Sequence, residues 1–96
     1  VLWGAFGTTG QRCTATSRLI LHEDIHDAFV DRLVRATRAL RLGDGRQPGT
    51  DVGPLIHAES LAKVERYVDI AQKDGATLAT GGHRADGPAL AHGYFH

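Results

Sequence analysis

Any covalent chemistry in this chain would centre on its one cysteine. Cys13 follows Gly7-Thr8-Thr9-Gly10-Gln11-Arg12 and precedes Thr14-Ala15-Thr16-Ser17-Arg18. Gly7 and Gly10 let the backbone bend through conformations that other residues avoid. A turn of that kind sets one side chain in the open with bare backbone N–H groups around it. A thiolate nucleophile needs that exposure, together with a nearby cation and a helix start to lower its pKa. Arg12 supplies the cation, and Thr14 to Ser17 are expected to form a short helical turn whose N-terminus faces the sulfur. The competing reading is a lone cysteine packed as a small apolar side chain. Arg12 is either a turn-bridging surface residue or a fork of donors for a carboxylate or phosphate on a substrate. Thr14 either lines the pocket or caps the turn.

A second constellation is His22-Glu23-Asp24-Ile25-His26, which fits the His-Glu-x-x-His pattern of zinc hydrolases. That chemistry needs both imidazoles on one helical face and a third ligand from elsewhere, for which His57, His83 or His92 would have to serve. Against it, His22 reads as the end of a strand and Asp24 as a helix cap, so the two rings would not sit one turn apart on a common helix. Gly4, Gly7 and Gly10 are spaced three apart. They do not make the dinucleotide fingerprint, and no Gly-Lys-Ser/Thr follows to make a phosphate loop. They are read as shaping the turn before Cys13.

The elements that must position these residues alternate in type. Val1 to Phe6 is apolar and reads as the end of a helix. Arg18 to His22 reads as a buried strand. Asp24 is expected to cap a helix with apolar residues at Ile25, Phe29, Leu33, Ala36 and Leu40, stopped by Gly43. Asp44 to Pro54 is a loop. A second helix is expected from Ala58 to Asp74, with a stripe of Leu61, Val64, Val68 and Ala71 and a stop at Gly75. Pairs one turn apart, Asp31–Arg35, Glu59–Lys63 and Asp69–Lys73, are expected on the exposed faces. Ala76 to Thr80 reads as a strand, Gly81-Gly82 as a turn, and Gly93 as the opening of a last strand. Strands separated by helices predict an α/β layer, a partial open twisted sheet with flanking helices.

Composition removes several classes. Eleven Lys plus Arg balance eleven Asp plus Glu, which argues against a nucleic-acid partner. One cysteine cannot close an internal disulfide. No apolar run approaches the length of a membrane span, and no signal-peptide pattern is present, so the expected location is cytoplasmic. The chain has 96 residues and no methionine, and both ends read as cut. It is expected to be a fragment that buries too little apolar surface to be stable alone.

The residues from Gly10-Gln11-Arg12-Cys13 through Thr14-Ala15 and Ser17-Arg18 resemble the catalytic-cysteine signature of the aldehyde dehydrogenase superfamily. The similarity continues through Glu23-Asp24-Ile25, Thr50-Asp51-Val52-Gly53-Pro54-Leu55-Ile56, Gly81-Gly82 and Gly93-Tyr94-Phe95. It implies that residues 1–96 are a fragment of the catalytic domain of an NAD(P)+-dependent oxidoreductase, with the dinucleotide-binding domain not in this chain. It implies that the Cys13 thiolate adds to an aldehyde, that hydride leaves to NAD or NADP, and that water releases the acid from a thioester. Cys13 N–H would be one oxyanion donor. The second donor, an asparagine, and the general-base glutamate would lie upstream, so the 96-residue chain alone is expected to be inactive. Arg12 and Thr14 would bind substrate, and the Gly-Gln-Arg-Cys-Thr version resembles members that take semialdehydes of dicarboxylic acids, such as 2-oxoglutarate semialdehyde. Lys63 stands where the family commonly has a lysine near the adenosine ribose; its alternative is a solvated partner for Glu59. The parent is expected to be a homo-oligomer. Outside this class stand a zinc hydrolase on His22 and His26 and a structural segment with no chemistry of its own.

Overall fold

The computed structural model describes residues 1–96, and its regular structure is entirely helical. Helix α1 spans Leu2–Phe6 and runs directly into a 3-10 turn at Gly7–Gly10. Helix α2 spans Glu23–Arg38 and α3 spans Ala58–Lys73. α1 packs against α2, whereas α3 touches neither.

Both long helices begin on a histidine. The cap of α2 is His22, one residue outside the helix, whose Nδ1 accepts from Asp24 N–H at 3.3 Å. Asp24, expected as the cap, lies instead in the first turn beside Glu23, where carboxylates meet the positive end of the helix dipole. α2 stops at Arg38, short of Gly43, because the chain beyond it is committed elsewhere: Arg41 N–H and Nε both donate to Asp51 Oδ2, at 2.9 and 3.3 Å. α3 matches its expected span, with Asp74 capping it and Gly75 at φ 89 carrying the chain away. The pairs Asp31–Arg35, Glu59–Lys63 and Asp69–Lys73 do not close; the ion pairs present are elsewhere, as at Glu65–Arg84. Exposed pairs of this kind gain little against the entropy of holding two long side chains.

No strand ladder forms, so the expected open twisted sheet is absent within these residues. Only two isolated bridges occur, Leu42 parallel to Val52 and Leu55 antiparallel to Tyr94. Residues 18–22 and 76–79 carry no helical or strand assignment, and Ile20 is 97% exposed. A run of β-forming residues becomes a strand only when its N–H and C=O groups find a neighbour, and none lies alongside.

The core is correspondingly small: Val52, Leu61 and Phe95 are the only buried residues. The radius of gyration is 14.0 Å, against about 12.5 Å for a compact domain of this length. Local hydrogen bonds therefore carry much of the order. The segment from Arg41 to Val52 folds back on itself, with Asp51 N–H and Val52 N–H both donating to Arg41 O, and it delivers Gly53 to Ile56 against the turn before Cys13.

Candidate active site

Three consecutive residues before the cysteine lie in the left-handed region: Thr8 (φ 64, ψ 28), Thr9 (φ 58, ψ 27) and Gly10 (φ 64). Gly10 suits that conformation, and a Cβ there would also meet Ala5 O at 2.9 Å. The two threonines do not suit it, since β-branched residues adopt it at a cost of about 1–3 kcal/mol each. Contacts across the chain hold the turn in place. Thr9 Oγ1 donates to Gly53 O at 3.2 Å, and Ile56 N–H donates to Gln11 Oε1 at 2.9 Å. Ala15 N–H closes onto Arg12 O at 3.0 Å, and Thr16 N–H reaches Gly4 O at 2.8 Å.

Cys13 sits at the crest of this turn, exposed and free. The expected helical turn over Thr14 to Ser17 is not formed: residues 15–22 are neither helix nor strand, so no helix begins beside the sulfur. The N–H groups of Arg12, Cys13 and Thr14 have no acceptor in the chain. That leaves Cys13 N–H free to donate to an oxygen carried on its own sulfur.

The cysteine lines a groove of about 870 Å³ between the turn and α3. Thr9 to Cys13 form one wall, Leu55 and Ile56 the end, and Ser60, Lys63, Val64, Tyr67, Val68 and Ala71 the other wall. The stripe expected to bury α3 in a core is therefore split: Leu61 is buried, and Val64, Val68 and Ala71 face the groove. Lys63 makes no ion pair with Glu59 and lines the same groove as Cys13. Thr14 is placed apart from them. It lines a smaller cavity of about 250 Å³ on the other side of the turn, with Trp3, Gly4 and Gly7. Arg12 lines both spaces, and its guanidinium has no partner in the chain. Sequence reasoning did not single out Thr9 or Gln11 as clamps, nor Ser60 and Tyr67 as groove residues. Gln11 stands in the motif next to Arg12; the others carry no local signal.

The zinc constellation is not assembled. His22 Nδ1 is engaged at the start of α2, His26 Nδ1 lies 2.8 Å from Asp27 Oδ1, and no three His, Cys, Asp or Glu side chains gather as a ligand set. The largest electrostatic effect lies away from the groove. The Arg46 side chain, and then its backbone N–H, hold the Asp44 carboxyl at about 2, and the Arg41 N–H lowers Asp51 in the same way.

The sequence profile of the Aldehyde dehydrogenase family matches residues 1–96. The chain belongs to that family. It is 47% identical over 94 residues to an alpha-ketoglutarate semialdehyde dehydrogenase from Haloferax volcanii, covering 96% of this chain and 19% of that protein. It is 46% identical over 91 residues to a betaine aldehyde dehydrogenase from Bacillus subtilis, covering 95% and 19%. Among solved structures, the Staphylococcus aureus betaine aldehyde dehydrogenase in complex with NAD+ superposes with a TM-score of 0.95 at 38% identity, over 98% of this chain and 19% of that one. PnpE from Pseudomonas sp. WBC-3 gives 0.92 at 43% identity, over 97% and 19%. The chain thus spans about a fifth of the length of these relatives, and its fold is consistent with part of an α/β aldehyde dehydrogenase domain. No helix is long and apolar enough to cross a membrane.

Proposed function

We propose that this chain carries the nucleophile of an NAD(P)+-dependent aldehyde dehydrogenase, and that Cys13 is that nucleophile. The observation that carries the reading is the exposed Cys13 at the crest of a clamped, strained turn, its own N–H unpaired and its groove shared with Lys63. The Cys13 thiolate adds to the aldehyde carbonyl carbon, and the resulting oxyanion takes a hydrogen bond from Cys13 N–H. Loss of hydride leaves a thioester on Sγ, and attack by water returns the thiol and releases the carboxylic acid. Held in the groove by Ser60, Lys63 and Tyr67, NAD(P)+ would supply the hydride acceptor. The groove fits a nucleotide: Lys63 offers a cation, Ser60 a hydroxyl and Tyr67 a half-open aromatic face. A relative's structure with one cysteine modified by BME supports a thiol of this family open to small molecules.

The substrate class follows from Arg12. Relatives are named for betaine aldehyde and for an acidic semialdehyde alike, and an unpartnered guanidinium next to the nucleophile favours the acidic one. Arg12 binds its carboxylate, and Thr14 lines the Trp3 side of the turn. Residues 1–96 are a segment of the catalytic domain and contribute to its open twisted sheet. The general base, the second oxyanion donor and the dinucleotide-binding domain lie outside them, so the 96-residue chain alone does not oxidise aldehydes. The complete enzyme is a cytoplasmic homo-oligomer. The test is Cys13→Ala in that enzyme: aldehyde oxidation falls by at least about four orders of magnitude while dinucleotide affinity is kept. Turnover by the variant at the wild-type rate would remove the reading.

A further inference from the structure

The loop that follows α2 and the turn that carries Cys13 are joined by an unbroken series of contacts. The series starts at Asp51, whose Oδ2 accepts from Arg41 N–H at 2.9 Å and from Arg41 Nε at 3.3 Å. The backbone answers in the other direction. Asp51 N–H and Val52 N–H donate to Arg41 O, at 2.8 and 3.1 Å, and Gly43 N–H donates to Val52 O at 3.1 Å. These bonds fix the register of the two arms of the loop, and Val52 is buried between them and the rest of the chain. The next carbonyl, Gly53 O, accepts from the Thr9 hydroxyl, and a little further on Ile56 N–H donates to Gln11 Oε1. Thr9 and Gln11 both belong to the run that leads directly into Cys13.

We propose that Asp51 is a positioning residue for the nucleophile, acting through Gly53 and Thr9. Its ion pair with Arg41 contributes little by itself. The two side chains are 39% and 69% exposed, and a pair of that kind adds little to stability. What Asp51 Oδ2 supplies is geometry. It is the acceptor for a backbone N–H, so it decides which residue of the second arm lies against Arg41. If that arm slips, Gly53 O leaves the Thr9 hydroxyl. Thr9 is held in the left-handed region, at φ 58, which its β-branched side chain disfavours. A released Thr9 returns to ordinary backbone angles and carries Cys13 with it. The carboxylate touches neither substrate nor cofactor in this account; it sets where the sulfur stands.

The inference rests on the reading of Cys13 as the nucleophile, and the experiment separates the two. Three quantities are measured in the full-length enzyme: kcat per titrated NAD+ site, the urea midpoint, and the rate at which iodoacetamide alkylates Cys13, followed by mass spectrometry of its peptide. Asp51→Ala lowers kcat per site about tenfold, the scale of a small misplacement of a reacting atom, and shifts the alkylation rate by a similar factor. Asp51→Asn keeps an oxygen for Arg41 N–H and brings both back to within about twofold of wild type. Thr9→Val removes the hydroxyl at the other end of the series and acts like Asp51→Ala. The double variant then falls no further than either alone. Where Asp51→Ala does not fold, Asp51→Glu, which moves the oxygen by one methylene, is judged in its place. A merely structural Asp51 would lower the midpoint and leave kcat per site and alkylation unchanged, and that result overturns the inference. So does a double variant whose loss is the product of the two single losses. Turnover retained by Cys13→Ala would instead remove the reading of the nucleophile, while alkylation in the Asp51 variants still decides whether Asp51 positions Cys13.

Discussion

The two walls of the groove are built by opposite means. One is an irregular turn with two threonines in a conformation their side chains disfavour, tied down by Thr9 to Gly53 and by Ile56 to Gln11. The other is a regular helix of sixteen residues, anchored by Leu61 at 2% exposure and started by an imidazole. A nucleophile must put one atom in one place, and a turn that is over-determined by its contacts does that at a cost in strain. A binding face needs side chains repeated along a rigid element, and a helix supplies them with no strain at all. On the proposed function, the chemistry and the binding in this segment rest on separate stabilities.

That separation can be broken or sharpened by substitution. The largest effect on stability is expected on the helix wall: Leu61→Ala in the full-length enzyme costs about 2–5 kcal/mol, read from the urea midpoint at unchanged slope. Gln11→Ala leaves the midpoint close to wild type and lowers kcat about tenfold, because it frees the turn without emptying a core. A midpoint loss as large as that of Leu61→Ala would merge the two walls into one. Next come the two cations. Arg12→Ala raises KM for an acidic semialdehyde about tenfold, and a neutral aldehyde of similar size hardly at all, while Lys63→Ala raises KM for the dinucleotide by a similar factor. Crossed effects would show that the groove is not divided in this way. The smallest effect is on the support of the turn. With Asp44 lowered to about 2 from its ordinary 3.8, the Asp44–Arg46 contact contributes fully above that ordinary value and is lost as the pH falls from there through about 2. Protease sensitivity of residues 41–52 therefore rises only in strong acid; a rise already in mild acid contradicts the assignment.

The parts legible in the sequence were those encoded locally. The periodic apolar residues and Gly75 gave α3 to within a residue, and the glycines with Gln11-Arg12-Cys13 marked the turn. The cap of α2 was misplaced because histidine is a rare cap, and a residue such as Asp24 signals a helix start whether it stands at the cap or within the first turn. The strands were misread for a different reason. Arg18 to His22 has the composition of a strand, but a strand is a property of two segments, and composition describes one. The left-handed threonines left no trace in the sequence, since only contacts made with Gly53 and Ile56 hold them there. The groove was hidden for the same reason: Val64, Val68 and Ala71 read as core, because the period that identifies a helix face does not say what the face meets.

The run ending at His22 also bears on how the parent reaches its native state. Leu19 and Ile20 stand open to solvent with no partner among these residues, so in the reading above their pairing closes a long loop, which slows folding. Until it closes, a short apolar run of high β propensity with free backbone groups is available to any other copy that presents the same run. Expression at high concentration is then a race between intramolecular closure and aggregation, and a single charge at Ile20 would slow the second at the expense of the first.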